Sequence, residues 1–419
     1  PFGRFLKNKA AAPMNTTPEF SIHELIESDC MTTVLQPLIS MNRKGLLGFE
    51  ALTRAIHPRT GENIPPFTLF HMCKDIETLT SLDRACRKKA FETFAPISKR
   101  DRSLLLSVNI DAAIINEKTF GYGITKDLVE ACGIPTGNVI LEIIESKAGN
   151  DDALTSFVNI SREHGFLIAL DDVGTGHSNL DRIPALKPDI IKIDRSLIND
   201  INRKFHNMEV TRSLISLAEK TGSLPLAEGI ETIEEALTLM SLGIDVFQGY
   251  FFGSPSPAAI AYASDMPPVK LLASRFKTHV LEKLSHQKIM EKNYKKMAKK
   301  LRKALVDGTP CTADSALSAF ITENANIECA YILDTNGLQI SETICNPYKL
   351  KENRRLIYQP APLGADHSLK EYYLTIKSGN RWHTTAPYIS LASGNNCVTI
   401  STTMDGSVNS SILCIDISI

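Results

Sequence analysis

Between about residues 30 and 255, short apolar runs rich in β-branched residues alternate with longer stretches of helical period. This alternation yields strands crossed over by helices and paired in parallel. Eight runs qualify as strands: Thr33 to Ser40, Leu47 to Ala55, Ser103 to Ile110, Val139 to Glu145, Leu167 to Val173, Ile190 to Asp194, Leu224 to Ile230 and Val246 to Phe252. Eight strands over this length predict an α/β fold of the (β/α)8, TIM-like barrel type rather than an open doubly wound sheet. Pro255, Pro257, Pro267 and Pro268 bound a turn-rich patch, after which Leu271 to Val306 contains neither Pro nor Gly and predicts one long helix. Met290, Tyr294, Met297, Leu301 and Ala304 recur along it at spacings of four and three, the pattern of a coiled-coil seam or of a helix packed on its own domain. Beyond Gly308 the pattern changes to a small α+β arrangement, with strands at Cys329 to Leu333, Val398 to Thr402 and Ser411 to Ile417 and hairpin signals at Asp334 to Gly337 and Ser393 to Asn396. The domains read as a tail (1–20), a barrel (21–265), a linking helix (271–306) and a regulatory domain (308–419).

Charge narrows the function classes. Forty-six basic against forty-seven acidic residues leave a formal charge of -1, so nothing draws the whole chain to nucleic acid or a membrane surface. The basic excess of the long helix reads as a solvated face, because no aromatic residues are interleaved with its lysines. No apolar run approaches the ~20 residues of a membrane helix. Nine scattered cysteines without a C-x-x-C pair point to a reducing, cytoplasmic compartment.

Acidic and amide residues stand near the C-terminal end of nearly every barrel strand: Glu50, Asn109, Glu142, Asp171 with Asp172, Glu228 and Gln248, joined by Lys192. Barrel active sites lie at that end. Singly, each is a strand-end cap or surface carboxylate; their recurrence on strand after strand is not explained that way. A mouth lined with carboxylates repels itself when empty, and a hard divalent cation with oxygen ligands, magnesium or manganese, relieves this.

Seven motifs in order resemble those of the EAL-domain cyclic-di-GMP phosphodiesterases. They are Glu50-Ala51-Leu52-Thr53-Arg54, Ser107-Val108-Asn109, Leu141-Glu142-Ile143-Ile144-Glu145, Asp171-Asp172-Val173-Gly174-Thr175-Gly176, Lys192-Ile193-Asp194, Ala227-Glu228-Gly229-Ile230-Glu231 and Gln248-Gly249-Tyr250. The resemblance spans about residues 30 to 257. It implies hydrolysis of the bacterial second messenger cyclic-di-GMP to linear pGpG at a two-metal site. Glu50, Asn109, Glu142 and Asp171 correspond to ligands of the first metal, with Asp171 bridging to a second that Asp172 also holds. Lys192 orients the attacking water, and Glu228 is its proton acceptor or a ligand of the second metal. Glu231 and Gln248 act as supporting ligands through water. Arg54, Gln248 and Asp194 are the residues facing substrate, although Arg54 equally suits a strand-end salt bridge. Glu145 braces the loop around Thr175. That loop departs from the family pattern at Val173, His177 and Asn179, which puts its ordering in question.

The order of barrel, helix and small α+β domain is similar to EAL proteins that carry a C-terminal PAS-like or Cache-like domain, against an unrelated dimerisation module. Such a domain implies a small-molecule ligand, and Arg381, Trp382 and Tyr388 are candidates to line its pocket. The family also implies a homodimer. No cyclase motif of the G-G-D-E-F type occurs, so hydrolysis is the only turnover suggested. The competing reading is a receptor that binds cyclic-di-GMP without cleaving it and signals to a protein partner; a nucleic-acid phosphodiesterase lacks a basic groove in the barrel segment.

Overall fold

The computed structural model describes residues 20–115, 123–144, 151–174, 180, 182–257, 266–307, 313–350, 359–405 and 410–418. The chain divides into two compact units, Pro1–Val280 and Leu281–Ile419.

In the first unit the eight barrel strands are β1 (Met31–Ser40), β2 (Gly45–Ile56), β3 (Leu105–Ile110), β4 (Val139–Ile144), β5 (Leu167–Val173), β6 (Ile190–Ile193), β7 (Leu224–Ala227) and β8 (Val246–Phe247). They form one closed ring in the order β1-β8-β7-β6-β5-β4-β3-β2, and β1 pairs back onto β2. The ring is not parallel throughout as the alternation predicts: β1 runs antiparallel to both β2 and β8. Only residues 41–44 join β1 to β2, and a link that short makes a hairpin, since a parallel return needs a dozen residues or more. The remaining pairs are parallel.

Several predicted strands end early for local reasons. Asp194 leaves β6 and caps the following short helix, its side chain accepting from the Ser196 amide. At β8 the chain turns after Phe247, and a Cβ on Gly249 would come within 2.2 Å of the backbone of Ile230. Helices pack outside the ring. The longest of these, Ile76–Arg100, starts at the Asp75 cap and buries Phe91, Phe94 and Ile97 at helical spacing against Phe49 and neighbouring strand residues.

Gly48 shows how tightly β2 is set. A Cβ there would lie 2.2 Å from the Leu105 carbonyl oxygen on β3, a backbone atom that cannot yield. Gly48→Ala is therefore expected to cost about 1 to 3 kcal/mol of stability through overpacking. Thermal denaturation of the variant checks this; an unchanged midpoint would show that β2 and β3 can part freely.

The second unit is an antiparallel sheet with helices on both faces. Its main strands are β9 (Ile327–Leu333), β10 (Trp382–Thr384), β11 (Asn396–Thr403) and β12 (Ile412–Ser418), in the order β9-β12-β11-β10. One face packs Ile332, Ile400, Leu413 and Ile415 against Leu317 and Ile321 of helix Ala313–Glu323 and against Ala298 and Leu301 of the long helix, Pro267–Asp307. Tyr294 and Met297 join the same cluster. Tyr294, Met297 and Leu301 of the seam are thus spent on their own unit, while Ala304 is exposed. No helix among the described residues is long and apolar enough to cross a membrane.

The opposite face carries Tyr331, Cys414 and helix Glu371–Lys377, together with two buried carboxylates, Glu328 and Asp416. Trp382 packs with the first face, while the Tyr388 hydroxyl lies 2.5 Å from Thr399 Oγ1 on the second. These two aromatic residues therefore do not line one pocket, because strand alternation sends their contacts to opposite sides.

Thr399 Oγ1 donates to Asp416 Oδ1 at 2.8 Å. Burial pushes the Asp416 carboxyl up to about 7, against the hydrogen bonds from Thr399 and Tyr388 that favour its charged form. Below pH ~4 the group is protonated both folded and unfolded; between there and 7 only the folded state keeps the proton, so stability falls as pH rises. The loss is on the order of 4 kcal/mol and complete above pH 7. Asp416→Asn should flatten this part of the pH–stability profile, and an identical pH dependence of the unfolding free energy, from urea titrations of the two proteins at several pH values, would exclude the assignment.

Candidate active site

Strand alternation builds the site. Leu38, Ile140, Ala169, Ile190, Leu226 and Val246 form one apolar cluster together with Leu47 of β2. Two residues further toward the mouth on the same strands, the same face presents Gln36, Glu142, Asp171, Lys192, Glu228 and Gln248. An apolar floor thus carries a polar layer, closed by Glu50 and Asn109 from β2 and β3. Gln36 and Glu50 are cross-strand partners, so the antiparallel β1 delivers its side chain to the same layer as the parallel strands.

Lys192 lies at the centre with 1% of its surface exposed. Its Nζ stands 2.5 Å from Glu228 Oε1, 2.8 Å from Glu142 Oε2, 3.2 Å from Asp171 Oδ1 and 3.8 Å from Glu50 Oε2. Burial alone would depress the ammonium, but Asp171, Glu142, Glu228 and Glu50 together overcome it and raise Lys192 well above its usual range. The same burial, reinforced by Glu50 and Asp171, pushes the Glu142 carboxyl up to about 8 despite Lys192. Glu228 is raised well above the carboxylate range, first by burial and then by the neighbouring acids, with Lys192 opposing.

Amide and hydroxyl donors aim the carboxylates. Glu50 accepts from Asn109 Nδ2 at 3.0 Å and from Gln248 Nε2 at 2.6 Å, and Gln248 Nε2 also donates to Gln36 Oε1 at 3.0 Å. Ser107 donates to Glu142. Asp171 and Asp172 are adjacent residues that regular alternation would send to opposite faces. A register shift between Leu170 and Val173 breaks that alternation beside β6: the Asp171 side chain reaches Lys192, and Asp172 takes φ 58°, with its amide donating to Asp171 Oδ1 at 3.0 Å.

Other predicted residues stand apart from the lysine. Glu231 pairs with Arg195 at 2.7 Å, and Asp194 serves as the helix cap already described. Arg54 donates to the Thr53 carbonyl at 2.8 Å and lines a cavity of about 470 Å³ that Asn109 also borders, walled by Phe67, Phe70, His71 and Asp83. Glu145 and Thr175 lie outside the described residues.

The sequence reading passes over two supports. Gln36 sits in an otherwise apolar run, and that lone amide was its signal. Glu235 accepts from the amides of Asp200, Glu231 and Thr232, tying down the loop that follows Glu228, and Thr232-x-x-Glu235 is a readable capping box.

Among the described residues, no three His, Cys, Asp or Glu side chains meet at the spacing that holds an ion in common. The common neighbour is instead the Lys192 ammonium. Four carboxylates against one ammonium still leave a surplus of three negative charges when all are ionised. Among the described residues, the buried Gln248 Oε1 also has no hydrogen-bond partner. An all-oxygen donor set with surplus negative charge and an orphan acceptor suits a hard divalent cation.

The EAL domain family matches residues 21–255. Over 224 residues the chain is 27% identical to the cyclic di-GMP phosphodiesterase RocR of Pseudomonas aeruginosa, a match covering 53% of this chain and 56% of RocR. The fold is similar to that of Bacillus subtilis YkuI, solved with its substrate c-di-GMP and calcium, with a TM-score of 0.79, 23% identity and coverage of 96% of this chain and 99% of that one. It is also similar to the calcium and c-di-GMP complex of Klebsiella pneumoniae BlrP1, with a TM-score of 0.50, 28% identity and coverage of 54% and 56%. The matches span from 31 to 56% of the length of RocR and the next two curated relatives. With Glu50, Asn109, Glu142, Asp171, Lys192, Glu228 and Gln248 gathered in one polar layer and the family matching over half its length, the chain belongs to the EAL domain family.

Proposed function

We propose that the barrel hydrolyses cyclic-di-GMP to linear pGpG with divalent cations, magnesium or manganese. The observation that carries this reading is the ring of Glu50, Glu142, Asp171 and Glu228 around the buried Lys192; Asn109, which donates to Glu50, borders the cavity of about 470 Å³. RocR is named a phosphodiesterase for this dinucleotide, and BlrP1 was solved with it.

Glu50, Asn109, Glu142 and Asp171 would hold one cation, and Asp171 with Asp172 a second. Glu228 is assigned as the proton acceptor and Glu231 as a support through water. Cations bound there supply charge neutralisation at the phosphodiester and acidity to water. Lys192 keeps its proton, and its ammonium positions the carboxylates and the water oxygen beside them. Glu228, 2.5 Å from the Lys192 ammonium, is the carboxylate assigned to take a proton from that water. Arg54 can offer its guanidinium fork to a phosphate at the cavity edge. Phe67, Phe70 and His71 supply faces for a guanine to stack on. Glu145 and Thr175 are assigned to bracing the loop after Asp172. We assign regulation of this activity to the second unit, through a small-molecule ligand and a homodimer.

The test is incubation of the purified chain with cyclic-di-GMP and magnesium or manganese, with products followed by chromatography. The Asp171→Ala, Asp172→Ala variant is the control. A linear dinucleotide that vanishes in the control supports the enzyme; tight binding with no product under either metal favours the receptor.

A further inference from the structure

We propose that the outward face of the long helix in the second unit docks on an anionic phospholipid surface. Lys288, Lys292, Lys295, Lys299 and Lys303 follow one another at spacings of four, three, four and four, and all are exposed. At 1.5 Å per residue they form a straight stripe about 22 Å long. Lys296 and Lys300 flank it. Only Lys295 has an acidic partner among the ion pairs of the described residues, Glu291. Like charges one turn apart destabilise a helix, so an unneutralised stripe costs stability unless something anionic covers it.

The inward face is already committed, since Tyr294, Met297, Ala298 and Leu301 pack on the sheet. The lysines therefore cannot turn into the core. Self-pairing through this face would set lysine against lysine.

Aliphatic residues on the same face choose among anionic partners. Leu281, Leu284, Ile289 and Val306 are 55%, 48%, 56% and 62% exposed. At 100° per residue, Leu281 and Val306 fall in line with Lys288 and Lys299, and Leu284 and Ile289 lie on either side. Large aliphatic groups among lysines suit a bilayer interface, where the apolar groups enter the acyl boundary and ammonium groups meet lipid phosphates. Nucleic acid would reward arginine and aromatic residues instead, but beside the stripe there is one arginine, Arg302, and Tyr294 packs inward on the sheet. The formal charge of -1 for the whole chain does not oppose this, because screening limits each contact to about 8 Å at physiological salt.

The experiment is co-sedimentation of the full chain with vesicles of phosphatidylglycerol and phosphatidylcholine, and with vesicles of phosphatidylcholine alone. Binding is expected only to the anionic vesicles and should vanish at about 0.5 M salt, where the screening length is only a few ångströms. Lys288→Gln, Lys292→Gln, Lys299→Gln and Lys303→Gln combined should weaken it at least ~100-fold, at roughly fivefold per lysine. Leu281→Ser with Ile289→Ser should weaken it about tenfold or more while every lysine remains. Circular dichroism confirms that the variants keep their helix. Failure to bind anionic vesicles, binding that ignores either set of substitutions, or tighter binding to random-sequence duplex DNA would each overturn the proposal.

Discussion

Replacing Glu50 with alanine is expected to abolish hydrolysis of cyclic-di-GMP while leaving the barrel folded. Glu50 is aimed by two amides, Asn109 and Gln248, and stands 3.8 Å from the Lys192 ammonium. Its loss takes one carboxylate from the proposed ligand set and leaves both amide donors unaimed. A fall in rate of about 1,000-fold or more is expected, equivalent to about 4 kcal/mol of transition-state stabilisation. The fold should tolerate the change, because one of four mutually repelling acids has gone. Single-turnover assays with chromatographic detection read the rate, and calorimetry with the nucleotide reads the binding. Glu50→Gln separates charge from shape: a rate as low as the alanine variant's shows that the carboxylate charge is what matters. Undiminished hydrolysis by Glu50→Ala would sink the site assignment.

Lys192→Met should do more damage to the protein itself. The ammonium is the common neighbour of Glu50, Glu142, Asp171 and Glu228, and a thioether of similar length leaves all four without their cation. Removing one partner from a buried charge cluster costs about 3 to 5 kcal/mol. In a unit of this size that lowers the thermal midpoint by roughly 10 °C in chelator. Added magnesium or manganese should restore part of the loss, because a divalent ion takes over the neutralising role. Differential scanning calorimetry with and without metal reads this directly. A midpoint equal to that of the parent in chelator would mean that the acids relax by protonation and that Lys192 is not their counter-charge.

Much of the barrel was legible because its determinants are local. Strand positions follow from short apolar runs, and β5 was placed to the residue. Asn109, Glu142, Asp171, Lys192 and Gln248 could be grouped from sequence because each lies close to the C-terminal end of a strand, and a closed ring must bring such ends together, whereas Glu50 lies mid-strand in β2 and was grouped by its motif. Glu231 and Asp194 show the limit of that logic. They follow the same strands, yet Glu231 is paired with Arg195 and Asp194 is spent as a helix cap. The seam along the long helix was equally real as a pattern, but its period is shared by self-packing and dimerisation and cannot choose between them.

By itself, the sequence determined the alternation that places a polar layer two residues above an apolar floor, the ordered motifs, and the helix with one basic and one apolar face. These are properties of period and side-chain chemistry carried by each segment alone. Only the tertiary structure decided that β1 runs antiparallel and brings Gln36 to Glu50, that a register shift in β5 accompanies the pairing of Asp171 with Lys192, and that the apolar face of the long helix is covered by its own sheet. Each depends on which distant backbone lies alongside, and that is settled by closure of the ring and by competition among apolar faces for cover, which no single segment encodes.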